Sequence, residues 1–142
     1  MYFNRLLYGA ALGIALTVAP AFAAENVSVQ LMGERGGKMS IKLDKSEVSA
    51  GEVTFKVANM AMKTPHEVVV IKLDKAGQKL VIDPDKNRID EDKLMSMGEV
   101  SDLKAGKMGS LTVKLEPGSY ELICNLKGHA AAGMIAPFTV KS

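Results

Sequence analysis

The chain is poor in the side chains that cross-link a fold or gather metal ions by number: its 142 residues include one cysteine, Cys124, and two histidines, His66 and His129. A single cysteine closes no internal disulfide, so in an oxidising compartment the thiol needs some other occupation. Net charge is nearly absent too. Lys and Arg number 18 against 16 Asp and Glu, and the resulting +2 is too small and too evenly spread to argue for nucleic acid or an anionic membrane as partner. Internal repeats and low-complexity linkers are missing, and the length suits one domain.

The longest apolar run, Leu6 to Val18, falls short of the ~20 residues that a spanning helix needs, and no basic stop-transfer cluster follows it. With Arg5 before it and Pro20 and Ala21-Phe22-Ala23 after it, the segment reads as a secretory signal peptide over residues 1–23. Cleavage after Ala23 leaves a mature domain of residues 24–142 with no cysteine at its start to carry a lipid. The expectation is a soluble periplasmic protein with no stable membrane association.

What the mature chain does have is period-two alternation, the spacing that places alternate side chains on one face of a strand. Val27, Val29 and Leu31 alternate with polar neighbours, and so do Met39, Ile41 and Leu43, then Val53, Phe55 and Val57, then Leu111, Val113 and Leu115. Val68 to Leu73 is an almost continuous β-branched run, as a central strand would be. Tyr120, Leu122 and Cys124 share one face of a further strand, and Phe138 and Val140 mark the last. Turns at Ser49-Ala50-Gly51-Glu52, Ala105-Gly106-Lys107 and Glu116-Pro117-Gly118-Ser119 separate them. The pattern predicts an all-β, antiparallel sandwich or barrel of about seven to eight strands. One insertion, Ala76 to Leu103, is charged, lacks alternation, and is predicted as a loop with a short helix around Asp90 to Met97.

Chemistry concentrates near the C-terminus, where the chain reads Cys124-Asn-Leu-Lys-Gly-His129-Ala-Ala-Ala-Gly-Met134, a C-x4-H-x4-M motif beginning at a strand end. A cysteine that ends its strand on the inward face holds a thiolate beneath the sandwich rim. Gly128 and Gly133 give the loop the turning freedom to fold His129 and Met134 back over the same point. A fourth donor has to come from elsewhere, and His66, after Thr64-Pro65, is the remaining histidine. Two imidazoles and a thiolate in a trigonal set with a distant thioether serve one-electron transfer at copper, since sulfur ligands suit Cu(I) and imidazole suits Cu(II).

On these residues the mature chain resembles the cupredoxins, the small type 1 blue-copper proteins of plastocyanin and azurin type. Ser49 to Phe55, Asn59 to Val70 and Glu116 to Tyr120 add to the likeness. The resemblance implies a Greek-key β-sandwich binding one copper, with His66, Cys124 and His129 as equatorial ligands and Met134 as the weak axial one. It also implies that one edge of His129, framed by Ala130, Ala131, Ala132, Ile135, Ala136 and Pro137, lies near the surface as an electron port. Redox partner proteins would dock there transiently, and the protein would be a monomer. Both four-residue gaps are longer than in plastocyanin-like members, and Lys127 stands where many relatives have proline.

An electron carrier is the first functional reading. The second is an exported copper-handling protein for tolerance, storage or delivery, favoured by the pairs Met60-Ala61-Met62 and Met95-Ser96-Met97, whose thioethers suit Cu(I). Packing or idle surface placement is the plainer account of those methionines. An enzyme is disfavoured: two histidines cannot build the trinuclear site of a multicopper oxidase, and a hydrolytic zinc site would keep an open position for water. The acidic run Asp83, Asp85, Asn87, Asp90, Glu91 and Asp92 lacks the glycine and terminal glutamate of a calcium loop, having Arg88 and Leu94 at those places, and reads as a solvated loop.

Overall fold

Alternation becomes two stacked sheets in the computed structural model, which describes residues 23–142. The strands are β1 (Glu25–Met32), β2 (Ser40–Leu43), β3 (Glu47–Ser49), β4 (Gly51–Asn59), β5 (His66–Lys72), β6 (Ile82–Asp83), β7 (Arg88–Ile89), β8 (Met95–Leu103), β9 (Met108–Leu115), β10 (Gly118–Ile123) and β11 (Ile135–Lys141). One sheet has the order β2-β1-β4-β9 and the other β3-β11-β10-β5-β8, with β6 and β7 forming a separate hairpin. The expected signal peptide, residues 1–23, lies outside the described residues apart from Ala23. Among the described residues no helix is long and apolar enough to cross a membrane.

The sandwich is an all-β fold as the pattern predicts, but its sheets are mixed: β1 pairs parallel with β4, and β3 parallel with β11. The cause lies at Ala50, where the chain leaves one sheet as β3 and enters the other as β4, turning at Gly51 with φ +133°. Side chains from the inner faces interdigitate between the sheets. Phe55 of β4 meets Phe138 of β11 edge to face at 5.3 Å, and each ring's burial stabilises the fold by about 2–3 kcal/mol.

The predicted helix around Asp90 to Met97 is corrected by the structure: only Glu91–Lys93 forms a 3-10 turn, and Met95–Leu103 is the edge strand β8. Alternation is hidden there because β8 slips register against β5 twice and Gly98, at φ +141°, breaks the pleat. The remainder of the insertion has a structural task. Ile89, Leu80, Ile82 and Leu94 pack on the outer face of the second sheet, over Val69, Ile71 and Ile123. That cover makes β5 apolar on both faces and explains its continuous β-branched run.

Strand ends set the position of the site. His66 opens β5, Ile123 closes β10, Asn59 closes β4, Leu103 closes β8 and Met108 opens β9, and the antiparallel registers bring all of these to one end of the sandwich.

Candidate metal centre

Alternation along β10 carries Tyr120 and Leu122 into the core, and Cys124, one step past the strand, follows them at 0% exposure. His66 and Met134 are buried equally, and His129 retains 2%. The loop from Cys124 to Met134 is closed on itself: the Cys124 N–H donates to the Met134 carbonyl at 3.1 Å, and the Met134 N–H donates to the His129 carbonyl at 3.1 Å. Gly133, at φ +114°, is required here, because a Cβ would stand 2.7 Å from the Met39 carbonyl oxygen. Through that close approach, and the Met39 N–H donating to Ala132 at 2.9 Å, the β1–β2 loop lies against the ligand loop.

Three donor atoms converge. His66 Nδ1 lies 3.1 Å from His129 Nδ1, Cys124 Sγ lies 3.3 Å from His129 Nδ1, and the third side of the triangle is 3.9 Å. Two nitrogens and a sulfur held in a plane by one ion at about 2.0–2.3 Å sit about 3.5–3.8 Å apart, so this donor set fits a metal with small adjustments. His66, Cys124 and His129 are thus arranged as a metal site.

The tautomer of His66 is fixed from behind. Its Nε2 lies 3.1 Å from the Gly33 carbonyl oxygen, which can only accept, so the proton sits on Nε2 and the Nδ1 lone pair faces the other donors. The Glu67 N–H points at Cys124 Sγ from 3.4 Å. Burial nevertheless pushes the Cys124 thiol up to about 11, outweighing the N–H groups of Glu67 and Leu126 that favour the thiolate. Burial also lowers both imidazoles, His129 to about 4 with further repulsion from His66 and Arg35. At neutral pH the site therefore offers two neutral imidazoles and one protonated thiol, and a soft metal ion must displace one proton. Apparent copper affinity should rise about tenfold per pH unit from pH 7 to pH 9. Competition with a chelator of known affinity at several pH values measures this, and a flat profile would contradict the protonated thiol.

Residues that the sequence did not single out hold the donors in place. Asn59 is 2% exposed; its Nδ2 donates to the carbonyls of Thr64 at 2.9 Å and Leu103 at 2.8 Å, and its Oδ1 accepts from the Ala61 N–H at 3.0 Å. Glu34, on the β1–β2 loop, accepts from the Met62 N–H at 2.6 Å, the Thr64 N–H at 3.1 Å and the Thr64 hydroxyl at 2.6 Å, and these bonds hold its carboxyl below the usual range. The loop that delivers His66 is fastened from both sides. Asn125 fastens the ligand loop to the insertion: it accepts from the Ile89 N–H at 2.7 Å and donates to the Ile89 carbonyl at 2.8 Å and to Glu91 at 2.6 Å. Its own N–H donates to Glu67 at 3.1 Å. A signal for Asn59 existed, since it continues the buried row of Val53, Phe55 and Val57 at the same period.

The expected surface edge of His129 is corrected. The residue is 2% exposed and its Nε2 is buried with no hydrogen-bond partner among the described residues. The β1–β2 loop and the insertion both bond the loop that carries it, through the Met39 N–H to Ala132 and the Gly128 N–H to the Asn87 carbonyl, each at 2.9 Å. The two methionine pairs separate: Met60 and Met62 are exposed at the donor end, whereas Met95 lies at the far end, paired with Lys72, and Met97 packs partly against the core. The acidic run forms a turn in which Asp83 Oδ1 accepts from the Asp85 and Lys86 N–H groups, consistent with a solvated loop.

Residues 27–141 match the profile of the family described as copper binding proteins, plastocyanin/azurin family. Among curated protein sequences none matches significantly. Among solved structures, reduced auracyanin from the photosynthetic bacterium Roseiflexus castenholzii is similar at 19% identity and TM-score 0.55, over 87% of this chain and 100% of that one. Rusticyanin from Thiobacillus ferrooxidans is similar at 18% identity and TM-score 0.60, over 85% of this chain and 79% of that one. Auracyanin B gives 22% identity and TM-score 0.58 over 88% and 94%. At these identities the likeness establishes the shared fold.

Proposed function

Because the chain belongs to the copper-binding plastocyanin/azurin family, we propose that it is an electron carrier whose single copper is held by His66, Cys124 and His129, with Met134 as the weak axial ligand. The observation that carries this reading is the buried triangle of two Nδ1 atoms and one Sγ, with His66 oriented by Gly33. Copper, when bound, supplies a one-electron change between Cu(I) and Cu(II). The protein supplies the thiolate, two neutral imidazoles and a dry core that excludes water from them. The clamps on both loops support a donor set that moves little when the charge changes. Asn59 and Glu34 restrain His66, and Asn125 restrains the stretch between Cys124 and His129.

The reading extends to the setting: export to the periplasm through a cleaved signal over residues 1–23, a monomer, no bond-making activity, and redox partner proteins docking transiently at the donor end near His129. Since His129 is buried, the electron would pass between its ring and the surface without direct contact of the ring with the partner.

Voltammetry of the copper-loaded mature protein should give a reversible one-electron couple, and the reduced protein should keep its copper against an equimolar Cu(I) chelator. Loss of copper on reduction would instead favour the delivery reading, which the exposed Met60 and Met62 support.

A further inference from the structure

Among the described residues the exposed large apolar side chains are mostly thioethers: Met60 at 57%, Met62 at 83%, Met95 at 61% and Met108 at 75%, with Val81. Three methionines on adjacent strands fall together. β1 and β4 run parallel with Leu31 beside Asn59, and the Met60 N–H donates to the Leu31 carbonyl at 2.8 Å, which places Met60 beside Met32. Across the other side of β4, Met108 of β9 pairs with Ala58, one pleat from Met60. Leu31 and Asn59 point into the core, so Met32 and Met60 point outward by alternation, and Met108 is exposed on that same outer face.

From this register we infer that Met32, Met60 and Met108 form a second metal site, a thioether site for Cu(I) on the outer face of the four-stranded sheet. Neighbouring strands are about 4.8 Å apart, and diagonal cross-strand residues lie within reach of long side chains. Methionine's unbranched, flexible chain lets three sulfurs turn onto one ion. The chemistry of the row selects the ion. Three neutral thioethers suit a soft monovalent cation; the sheet residues of that face nearby, Ser40, Gln30, Ala58, Ser110, Lys42 and Lys56, carry no carboxylate, and Glu34 on the loop after Met32 is already taken up by Met62 and Thr64, so a hard divalent ion finds little there. The row sits at the same end of the sandwich as His66 and Cys124, and Met62 continues from it along the loop that leads to His66.

The inference is separate from the electron-carrier reading, and the test keeps the two apart. Mature protein already holding one copper is reduced without oxygen and titrated with further Cu(I) against a chelator, with methyl-labelled methionines followed by NMR. A second equivalent should be taken up, shifting the methyl signals of Met32, Met60 and Met108 and leaving Met95 unchanged. The triple variant Met32→Leu, Met60→Leu, Met108→Leu should lose that second equivalent while keeping its first copper and the absorption of its oxidised form. Uptake of the second equivalent by the triple variant, or no second equivalent in the unaltered protein, would overturn the site. The same titration on Cys124→Ser is read from the methyl signals, since His66 and His129 remain able to hold copper there: Cu(I)-dependent shifts of Met32, Met60 and Met108 support the row even if the buried centre fails, and their absence would overturn it.

Discussion

Mature protein carrying Cys124→Ser will take up Cu(II) without the intense visible band of a thiolate-to-copper charge transfer, and its electron paramagnetic resonance will change to that of copper bound by nitrogen and oxygen. The substitution replaces the one soft anionic donor of the triangle with a hard neutral hydroxyl of similar size, and nothing else within reach of His66 Nδ1 and His129 Nδ1 is a thiol. The fold should survive, because the backbone bonds that close the loop at Cys124 do not use the sulfur. Met134→Leu is the companion experiment. Leucine fills a similar volume at a cost below about 1.5 kcal/mol, so the band should persist while the reduction potential rises, the axial thioether no longer stabilising Cu(II). A band that survives in Cys124→Ser would sink the proposed centre, and an unmoved potential in Met134→Leu would remove Met134 from it.

The second large effect is expected at Asn59. Asn59→Ala strands the Thr64 and Leu103 carbonyls and the Ala61 N–H at a site where the side chain is 2% exposed. Each buried orphan costs about 1–3 kcal/mol, and some are relieved where loops admit water, so the loss should total about 3–5 kcal/mol. For a domain of this size that lowers the melting temperature of the copper-free protein by roughly 10–20 °C. Thr54→Val, which removes only the exposed hydroxyl contact with Thr112, is the control and should change stability little. A melting temperature for Asn59→Ala within a few degrees of the parent would show that Asn59 is not the clamp of this end.

How much of this could be read beforehand follows from where the information sits. Rows such as Val27, Val29, Leu31 and Tyr120, Leu122, Cys124 declare their strands because one face meets core and the other meets water. The cysteine's place in such a row already directs its sulfur inward. β8 was hidden for the converse reason: an edge strand with two slips and Gly98 shows no regular face. The fastening of the loop around His129 is illegible because it depends on Met39 and Asn87 arriving from distant parts of the chain, and no local spacing encodes that meeting. The three-strand row of methionines belongs to the same class. Met60 and Met62 are conspicuous as neighbours in sequence, yet the registers Leu31–Asn59 and Ala58–Met108 bring the chain at Met60 towards Met32 and Met108 instead.

The bonds between Asn125 and Ile89, and between Gly128 and Asn87, make the insertion and the ligand loop partners in one equilibrium. Linkage of this kind is reciprocal: whatever free energy bound copper lends to the order of residues 74–94, the order of those residues lends to the retention of copper. Amide hydrogens at Ile89 should then exchange more slowly in the metal-loaded protein. A single proteolytic nick near the exposed Val81, far in sequence from every ligand, should hasten escape of the metal. An appendage outside the sandwich would thereby govern how long the protein stays charged.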